Sequence, residues 1–307
     1  ELGLRSRRGS AQRSCDAPRR LRPCCAMRVV GLISGGKDSV WNLHYCQHFG
    51  HELLCVAHLS PPEGVDELDS YMYQTVGSGG IIDAIAEALG VPLVRRTITG
   101  KPQGTSSQEY TPSDGDEVED LLLLLEDVRR AHPGVEAVSC GAILSNYQRL
   151  RVEHVCGRLG LKVVAFMWKQ AQPRLLRQMI ASGLDARIVK VASMGLDRRH
   201  VGRSILDPAF ADHVFRLGDK WGVHVCGEGG EYETTVADAP LFRRRLRFER
   251  PEVVDHPDGG DDVAFLRVPE VALESKGGDA GGVDDGAWLV ALRPYSDLSY
   301  YQETFPL

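Results

Sequence analysis

One short segment of the chain combines residue types that bind phosphate. Its members, which we call the phosphate loop, are Ser34, Gly35, Gly36, Lys37, Asp38 and Ser39. The loop lies between an apolar run and a helical pattern, so we expect a strand, a tight turn and a helix start. Adjacent glycines let backbone N–H groups approach an anion, and the helix adds its positive N-terminal end.

The side chains of the phosphate loop extend this interpretation. Two serine hydroxyls can donate hydrogen bonds, and Lys37 supplies a positive charge for phosphate oxygens. Asp38 fits among phosphate-binding groups only if a cation lies between them, so we assign it to Mg²⁺. The spacing differs from the Walker motif, because Lys37 is followed by Asp38 instead of Ser or Thr. An ordinary glycine-rich turn with solvated charges is the alternative.

A second cluster, residues 226–234, places three carboxylates among three glycines, and we call it the acidic segment. The carboxylates belong to Glu228, Glu231 and Glu233. Like charges gathered in this way raise each other's pKa unless a cation is present. The segment is therefore interpreted as a site for Mg²⁺, ammonium or a cationic substrate, with a flexible acidic loop as the alternative.

Three further places in the chain offer candidate contacts. Gly141 and Ala142 come near the end of a predicted strand, where small residues let a ligand approach. Arg149 could clamp a phosphate, although pairing with a carboxylate one helical turn away is the alternative. Tyr71 and Tyr73 follow acidic residues and could line a pocket for a cation, or they could be surface aromatic residues on a loop.

Hydrophobic periodicity predicts the elements that position these residues. Strands are predicted at residues 29–33, 53–59, 91–98, 135–143, 162–168 and 186–192, and helices at 40–49, 81–89, 116–131, 146–159, 173–182 and 212–221. Alternation at this spacing predicts right-handed βαβ crossovers and a parallel sheet that is covered on both faces. Residues 99–115 are rich in small polar residues and predict a mobile loop that could act as a lid.

Composition limits the function classes. The 307 residues are 43% hydrophobic and 25% charged, and no apolar run approaches the length of a membrane span. Residues 1–26 carry a net charge of +5, which leaves −11 on residues 27–307, and an acidic body argues against non-specific binding to nucleic acid. The eight cysteines form no C-x-x-C pair, so we expect reduced thiols in the cytoplasm.

Together these features resemble the diphthine–ammonia ligase family, a branch of the PP-loop ATPases that split ATP between the α and β phosphates. The similar segments are residues 34–39, 67–77, 116–120, 141–156, 190–197 and 226–234. The resemblance covers about residues 27–250. It implies an α/β fold with a parallel-sheet HUP-type (adenine nucleotide alpha-hydrolase-like) three-layer sandwich and a smaller C-terminal subdomain.

The expected organisation has three parts. Residues 1–26 are a disordered leader outside the fold, either a transit peptide or translated sequence upstream of Met27. Residues 27–250 form the ATP-binding ligase domain, with a nucleotide part at about 27–160 and a substrate subdomain at about 161–250. Residues 251–307 are a glycine- and aspartate-rich linker and a short tail.

The resemblance also implies a reaction. ATP, with Mg²⁺, adenylates the carboxylate of diphthine, a modified histidine on elongation factor 2. Pyrophosphate then leaves, and free ammonia attacks to give diphthamide. Neither nucleic acid nor a membrane is an expected partner. Two alternatives stay open, a PP-loop adenylase that modifies tRNA and a nucleotide-binding sensor without catalysis.

The resemblance also implies roles for individual residues of this sequence. The residues expected in catalysis are Asp38, which is also the metal ligand, Glu228 and Glu231. Nucleotide binding is expected from Ser34, Gly35, Gly36, Lys37, Asp38, Ser39, Gly141 and Ala142. Substrate binding is expected from Tyr71, Tyr73, Arg149, Trp168, Tyr232 and Glu233. Because diphthine carries a quaternary ammonium, aromatic faces and nearby glutamates are expected to surround that cation.

Overall fold

The computed structural model describes residues 26–62, 80–104, 106, 108–256 and 263–277. Most of the predicted leader, the segment that contains Tyr71 and Tyr73, and the last thirty residues lie outside the described part. The strands are β1 (Arg28–Leu32), β2 (Glu52–Ser60), β3 (Leu93–Thr97), β4 (Ala137–Ser139), β5 (Lys162–Val164), β6 (Asp185–Val191), β7 (Tyr232–Asp238), β8 (Arg244–Glu249), β9 (Glu252–Asp255), β10 (Ala264–Arg267) and β11 (Glu270–Ser275). The helices are α1 (Lys37–His48), α2 (Ile81–Leu89), α3 (Glu117–Ala131), α4 (Asn146–Leu159), α5 (Gln172–Ala181) and α6 (Pro208–Trp221).

A five-stranded parallel sheet forms the centre of the fold, with strand order β3-β2-β1-β4-β5. In β1, Val29 pairs with Leu53 of β2 on one side and with Ala137 of β4 on the other. The order reverses between β1 and β4, and open α/β sheets bind ligands outside the strand ends at such a reversal. The predicted parallel sheet is confirmed, and the phosphate loop leaves it at this point.

Helices cover both faces of the central sheet. On one face, α3 and α4 pack against β2 and β4, and Leu121, Leu124 and Leu125 of α3 are fully buried there. Their spacing of three and four places them on one side of the helix, and burying each contributes about 1.5–3 kcal/mol. On the other face, α1 and α2 pack into a second core together with α5 and α6. The arrangement agrees with the fold class that the resemblance implies.

Strand β6 is placed differently from the sequence prediction. Instead of extending the parallel sheet, it lies in a four-stranded antiparallel sheet of order β7-β6-β10-β9. Ile188 of β6 pairs with Thr234 of β7, and Ala264 of β10 pairs with Val191. The N–H of Ala192, just after β6, donates to the carbonyl oxygen of Glu231, just before β7, at 3.0 Å. The end of β6 therefore lies against the start of β7, as in an antiparallel pair.

Residues 251–277 also differ from the expected linker. Their described part contributes β9 and β10 to the antiparallel sheet, while β11 pairs with β8 in a separate two-stranded ribbon. Phe265 and Leu266 of β10 are buried in the core next to β6. The apolar run of β10 is very short and is flanked by charges, so it carries a weak strand signal in sequence.

The predicted lid, residues 99–115, is held at one point by a buried arginine. Arg151 of α4 is 1% exposed and donates to the carbonyl oxygens of Gly104 and Ser106 over 2.8 and 3.0 Å. Its guanidinium also lies over the ring of Tyr110. These contacts fix the loop to α4.

No helix in the described part of the chain combines the length and apolar character needed to cross a membrane.

Candidate active site

The phosphate loop turns sharply between β1 and α1. Gly35 has a φ of +89°, in the left-handed region, and a Cβ there would lie 3.2 Å from Ile82 of α2. Gly36 is the N-cap of α1 without a side-chain cap, so the first turn of the helix presents its N–H groups. Ser39 donates its hydroxyl to the carbonyl oxygen of Gly36 at 2.9 Å, and Ser34 accepts from the Gly36 N–H at 3.4 Å. The loop therefore has the shape expected of an anion cradle.

Lys37 and Asp38 form a buried ion pair at the start of α1. Lys37 Nζ lies 2.9 Å from Asp38 Oδ2 and also donates to the carbonyl oxygen of Cys226. Burial lowers the pKa of Lys37, but its neighbours, Asp38 first, outweigh burial and raise the pKa above its ordinary value. Burial raises the pKa of Asp38, and Lys37 opposes that shift. The second carboxylate oxygen, Oδ1, is buried and accepts no hydrogen bond.

The acidic segment and β7 pack directly on the phosphate loop. Thr234 Oγ1 accepts from the backbone N–H of Lys37 at 3.1 Å, and the N–H of Val236 donates to the carbonyl oxygen of Gly35 at 2.9 Å. Gly36 approaches this strand so closely that a Cβ there would lie 3.3 Å from the Thr234 carbonyl oxygen. Sequence reasoning placed these two segments in one site but did not identify Thr234 as the contact.

Gly141 brings the opposite wall of the site against the same helix start. A Cβ at Gly141 would lie 2.9 Å from the backbone carbon of Asp38 and from the backbone nitrogen of Ser39. Real Cβ atoms do not approach backbone so closely, so the wall can contact the loop only with glycine at this position. Ala142 follows and is buried.

Glu228 joins the acidic segment to that wall. Its carboxylate accepts backbone hydrogen bonds from Ile143 and Leu144, both at 2.6 Å, and from Ser145 at 3.1 Å. Its Oε2 also lies 3.3 Å from His224 Nε2. Burial raises the pKa of Glu228, but His224 and the three backbone N–H groups outweigh burial and lower the pKa below its ordinary value. The carboxylate is an anion with nearly all of its acceptor capacity in use.

The other two glutamates of the segment differ in orientation. Glu231 accepts from the backbone N–H groups of His224 and Gly229, both at 2.9 Å, and so closes its own loop. Its side chain does not line the cavity described below, whereas Glu233 does. The acidic segment therefore presents Glu233 and one edge of Glu228 to the cavity, and keeps Glu231 for the turn.

Tyr232 is buried beneath Lys37. Lys37 Nζ lies 5.2 Å from the centre of the Tyr232 ring, and the Tyr232 hydroxyl donates to the carbonyl oxygen of Val225 at 2.6 Å. Burial raises the pKa of Tyr232. Because the ring already faces a cation of this chain, its geometry favours support of Lys37.

Arg149 and Trp168 contact each other outside the cavity. The Arg149 guanidinium lies 4.5 Å from the centre of the Trp168 ring, and its Nη1 lies 2.6 Å from Glu153 one helical turn away. The alternative weighed from sequence, pairing within the helix, is present in the structure. These contacts occupy the groups that the resemblance assigns to the substrate.

A cavity of about 400 Å³ opens at the carboxyl ends of β1, β2 and β4. The predicted site residues that line it are Ser34, Gly36, Lys37, Asp38, Ser39, Gly141, Ala142, Glu228, Tyr232 and Glu233. Those that do not line it are Gly35, Arg149, Trp168 and Glu231. Tyr71 and Tyr73 lie outside the described residues. One wall is apolar and consists of Leu32, Ala57, Leu59, Leu124 and Val152.

A buried asparagine that sequence reasoning missed supports the site from below. Asn42 of α1 donates to Ser139 Oγ at 2.7 Å and to the Val164 carbonyl oxygen at 2.8 Å, and accepts from the Phe166 N–H at 2.9 Å. These bonds tie α1 to the ends of β4 and β5. The available signal was an asparagine between Trp41 and Leu43 of this helix, since polar groups are buried only when paired.

Comparisons with known proteins match the two parts of the chain that line the cavity. A family model described as the diphthamide synthase N-terminal domain matches residues 27–163, and one described as the diphthamide synthase C-terminal domain matches residues 172–260. A Danio rerio protein named diphthine–ammonia ligase is 50% identical over 254 residues, which cover 81% of this chain and 98% of the relative. A Homo sapiens protein of the same name is 50% identical over 257 residues, which cover 81% and 94%.

A longer relative of the same name comes from Schizosaccharomyces pombe. It is 48% identical over 242 residues, which cover 79% of this chain and 39% of that relative. The first family match contains the central parallel sheet and the phosphate loop, and the second contains the acidic segment and β7.

Proposed function

Because the chain belongs to the diphthamide synthase family, we propose that it is an ATP-dependent ligase that amidates the carboxylate of diphthine with ammonia. One observation carries the proposal. The phosphate loop and the acidic segment line the same cavity, with Lys37 bonded to Cys226 across 189 positions of the chain. This adjacency supports the proposal that ATP is split beside a site for a cationic acceptor.

The two sides of the cavity suit the two ends of ATP. The apolar wall, which includes Leu59 and Leu124, offers a surface for the adenine ring. The N–H groups of Asp38 and Ser39 lie in the first turn of α1, where helical partners are lacking, and they remain for phosphate oxygens. Lys37 also lines the cavity, and in this proposal its charge stabilises the departing pyrophosphate.

Asp38 fits the Mg²⁺ that such a reaction uses. Its Oδ1 is buried in the cavity wall without a hydrogen bond, which is costly for a carboxylate unless a cation is present. Among the described residues no group of three or more His, Cys, Asp or Glu side chains is placed to hold a metal ion. Mg²⁺ commonly takes one protein carboxylate and completes its coordination with phosphate oxygens and water. When bound, it neutralises charge on the phosphates.

The proposed reaction has two steps. A carboxylate oxygen of diphthine attacks the α-phosphorus of ATP, and the bond to the pyrophosphate oxygen breaks with its electron pair. Ammonia then attacks the carbonyl carbon of the acyl-adenylate, AMP leaves with the C–O electron pair, and the nitrogen loses a proton to solvent. The chain's own groups hold the carboxylate and the α-phosphate in line and stabilise the developing charge.

We propose that the acceptor is a side chain of another protein, elongation factor 2 bearing diphthine, in the cytoplasm. Its quaternary ammonium needs negative or aromatic groups at the entrance of the cavity. Glu233 lines the cavity and supplies one such charge. Tyr71 and Tyr73 remain proposed members of this cation site.

The product AMP provides the test. The protein is incubated with ATP, Mg²⁺, ammonium and elongation factor 2 that carries diphthine, and AMP release is measured together with the mass of the modified histidine. We expect AMP and amide in equal amounts, and neither with Asp38→Ala. AMP release that requires tRNA instead would support a tRNA-modifying adenylase. ATP binding without AMP under all conditions would support a sensor and overturn the proposal.

A further inference from the structure

Glu228 makes a contact that its assignment to catalysis does not explain. One carboxylate receives the N–H groups of three consecutive residues, Ile143 to Ser145, and its side chain is only 10% exposed. These residues lie immediately after Gly141 and Ala142, the wall that contacts Asp38 and Ser39. They also lead into α4, whose first turn is capped by the Ser145 hydroxyl.

His224 holds Glu228 by two contacts at once. The backbone N–H of Glu228 donates to His224 Nδ1 at 3.3 Å, so Nδ1 is the acceptor and the ring proton belongs on Nε2. Nε2 lies 3.3 Å from Glu228 Oε2. The imidazole is thus oriented by the backbone of the residue whose carboxylate it faces, and the rotamer of Glu228 is fixed.

We propose that Glu228 is a positioning residue for nucleotide binding, held in place by His224, and that it fixes the 141–145 wall against the phosphate loop. The proposal rests on the proposed function only in placing ATP in this cavity. A carboxylate that already accepts three N–H groups has little capacity left to bind a metal or to move a proton. The same acidic segment holds the loop from the other side through Thr234 and Cys226. One segment therefore fixes both walls of the nucleotide site.

The first experiment measures ATP affinity in the presence of Mg²⁺ by calorimetry, without acceptor protein. Glu228→Gln keeps the size of the side chain but replaces one acceptor oxygen by a donor, which faces an N–H group. Since hydrogen bonds to a charged carboxylate are stronger than those to a neutral amide, we expect ATP to bind at least about tenfold more weakly. Amide hydrogen exchange in residues 141–148 should rise as well. Glu126→Gln, on the exposed side of α3, is the control and should change neither quantity.

A second variant separates positioning from general loss of structure. His224→Asn removes the contact to the carboxylate and leaves Glu228 itself intact, so ATP affinity should fall in the same direction but less. The double variant should bind ATP no more weakly than Glu228→Gln, because both changes break one network. Thermal unfolding of all variants shows whether they are folded, and His224→Asn carries the test if Glu228→Gln is not.

Three results would overturn the inference. Unchanged ATP affinity with a lower kcat would make Glu228 a catalytic group, and a higher KM for the acceptor protein alone would make it a cation-binding group. Reduced thermal stability with unchanged ATP affinity would make its role structural. Failure of the proposed function would be seen separately, as absent AMP release by the unmodified chain with normal ATP binding.

Discussion

Thr234 Oγ1 accepts a hydrogen bond from the backbone N–H of Lys37 over 3.1 Å, although the two residues lie 197 positions apart. The N–H of Val236 donates to the carbonyl oxygen of Gly35 two residues along the same strand. Strand β7 therefore fixes the conformation of the phosphate loop. Because β7 is paired with β6, the antiparallel sheet and the nucleotide loop are mechanically linked.

The Lys37–Thr234 bond predicts a cost for removing the hydroxyl. Thr234→Val keeps the shape of the side chain but leaves the buried N–H of Lys37 without an acceptor. An unsatisfied buried donor costs about 1–3 kcal/mol, so the free energy of unfolding should fall by that amount. Urea unfolding measures it, with Thr97→Val on the exposed side of β3 as the control. Equal stability of the two variants would show that the bond contributes nothing.

Contact between Gly141 and the start of α1 predicts a steric effect. In Gly141→Ala the new Cβ would lie 2.9 Å from the backbone of Asp38 and Ser39, so wall and loop must separate. Overpacking of this kind costs about 1–3 kcal/mol, and AMP formation should fall more than tenfold. Gly157→Ala on α4 is the matched control, since no atom apart from its chain neighbours and its own helix backbone lies within 4 Å of its new Cβ. There we expect about 0.5–1 kcal/mol of added stability. Normal AMP formation by Gly141→Ala would contradict the proposed close contact.

The central sheet was predictable because its signals are local. Each strand and helix of a βαβ unit is encoded by its own periodicity, and the crossover rule then fixes the direction of the strands. The phosphate loop has the same property, since its glycines, charges and helix start are contiguous. Strand β6 was misplaced because its partners β7 and β10 come later in the chain, and no local pattern identifies them.

Sequence patterns predicted which residues lie near the cavity better than they predicted the contacts between those residues. Residue types identified Glu228, Glu231 and Glu233 as a group, but their orientations depend on which backbone N–H groups fold against them. Glu231 bonds within its own loop, and Glu228 bonds to residues 143–145 across the cavity. The bonds of Glu228 join positions more than eighty residues apart, and hydrophobic periodicity carries no information about them.

The stacking of Arg149 on Trp168 predicts a structural effect. Arg149→Ala would remove a cation–π contact and leave Glu153 unpaired in a half-buried place, so we expect the free energy of unfolding to fall by about 1–2 kcal/mol. Arg149→Lys should lose part of this, because an ammonium lacks the planar face of guanidinium. Unfolding and the KM for the acceptor protein are measured together. Unchanged stability with a raised KM would instead support the substrate contact inferred from the resemblance.

His58 predicts that the fold loses stability in mild acid. Its side chain is 4% exposed and lies beside the phosphate loop, with Nδ1 2.8 Å from the carbonyl oxygen of Ile33. Burial lowers the pKa of His58 from 6.5 to about 4, while the hydrogen bond to Ile33 and the charge of Asp83 oppose the shift and Arg95 adds to it. Between these two values the unfolded chain binds a proton at His58 that the folded chain does not, so stability falls as the pH is lowered from 6.5, and the loss due to His58 is complete below about 4.

The size of this effect can be measured by substitution. At about pH 5 the His58 contribution amounts to about 2 kcal/mol, given about 1.4 kcal/mol for each pH unit below the unfolded value. His44, whose pKa burial lowers to about 3, acts in the same direction and remains in the variant. Urea unfolding at about pH 7 and pH 5 should therefore show a smaller pH dependence for His58→Gln than for the unmodified chain. An identical pH dependence of the two proteins would mean that His58 takes up its proton in the folded state as readily as in the unfolded one, and would contradict the lowered pKa.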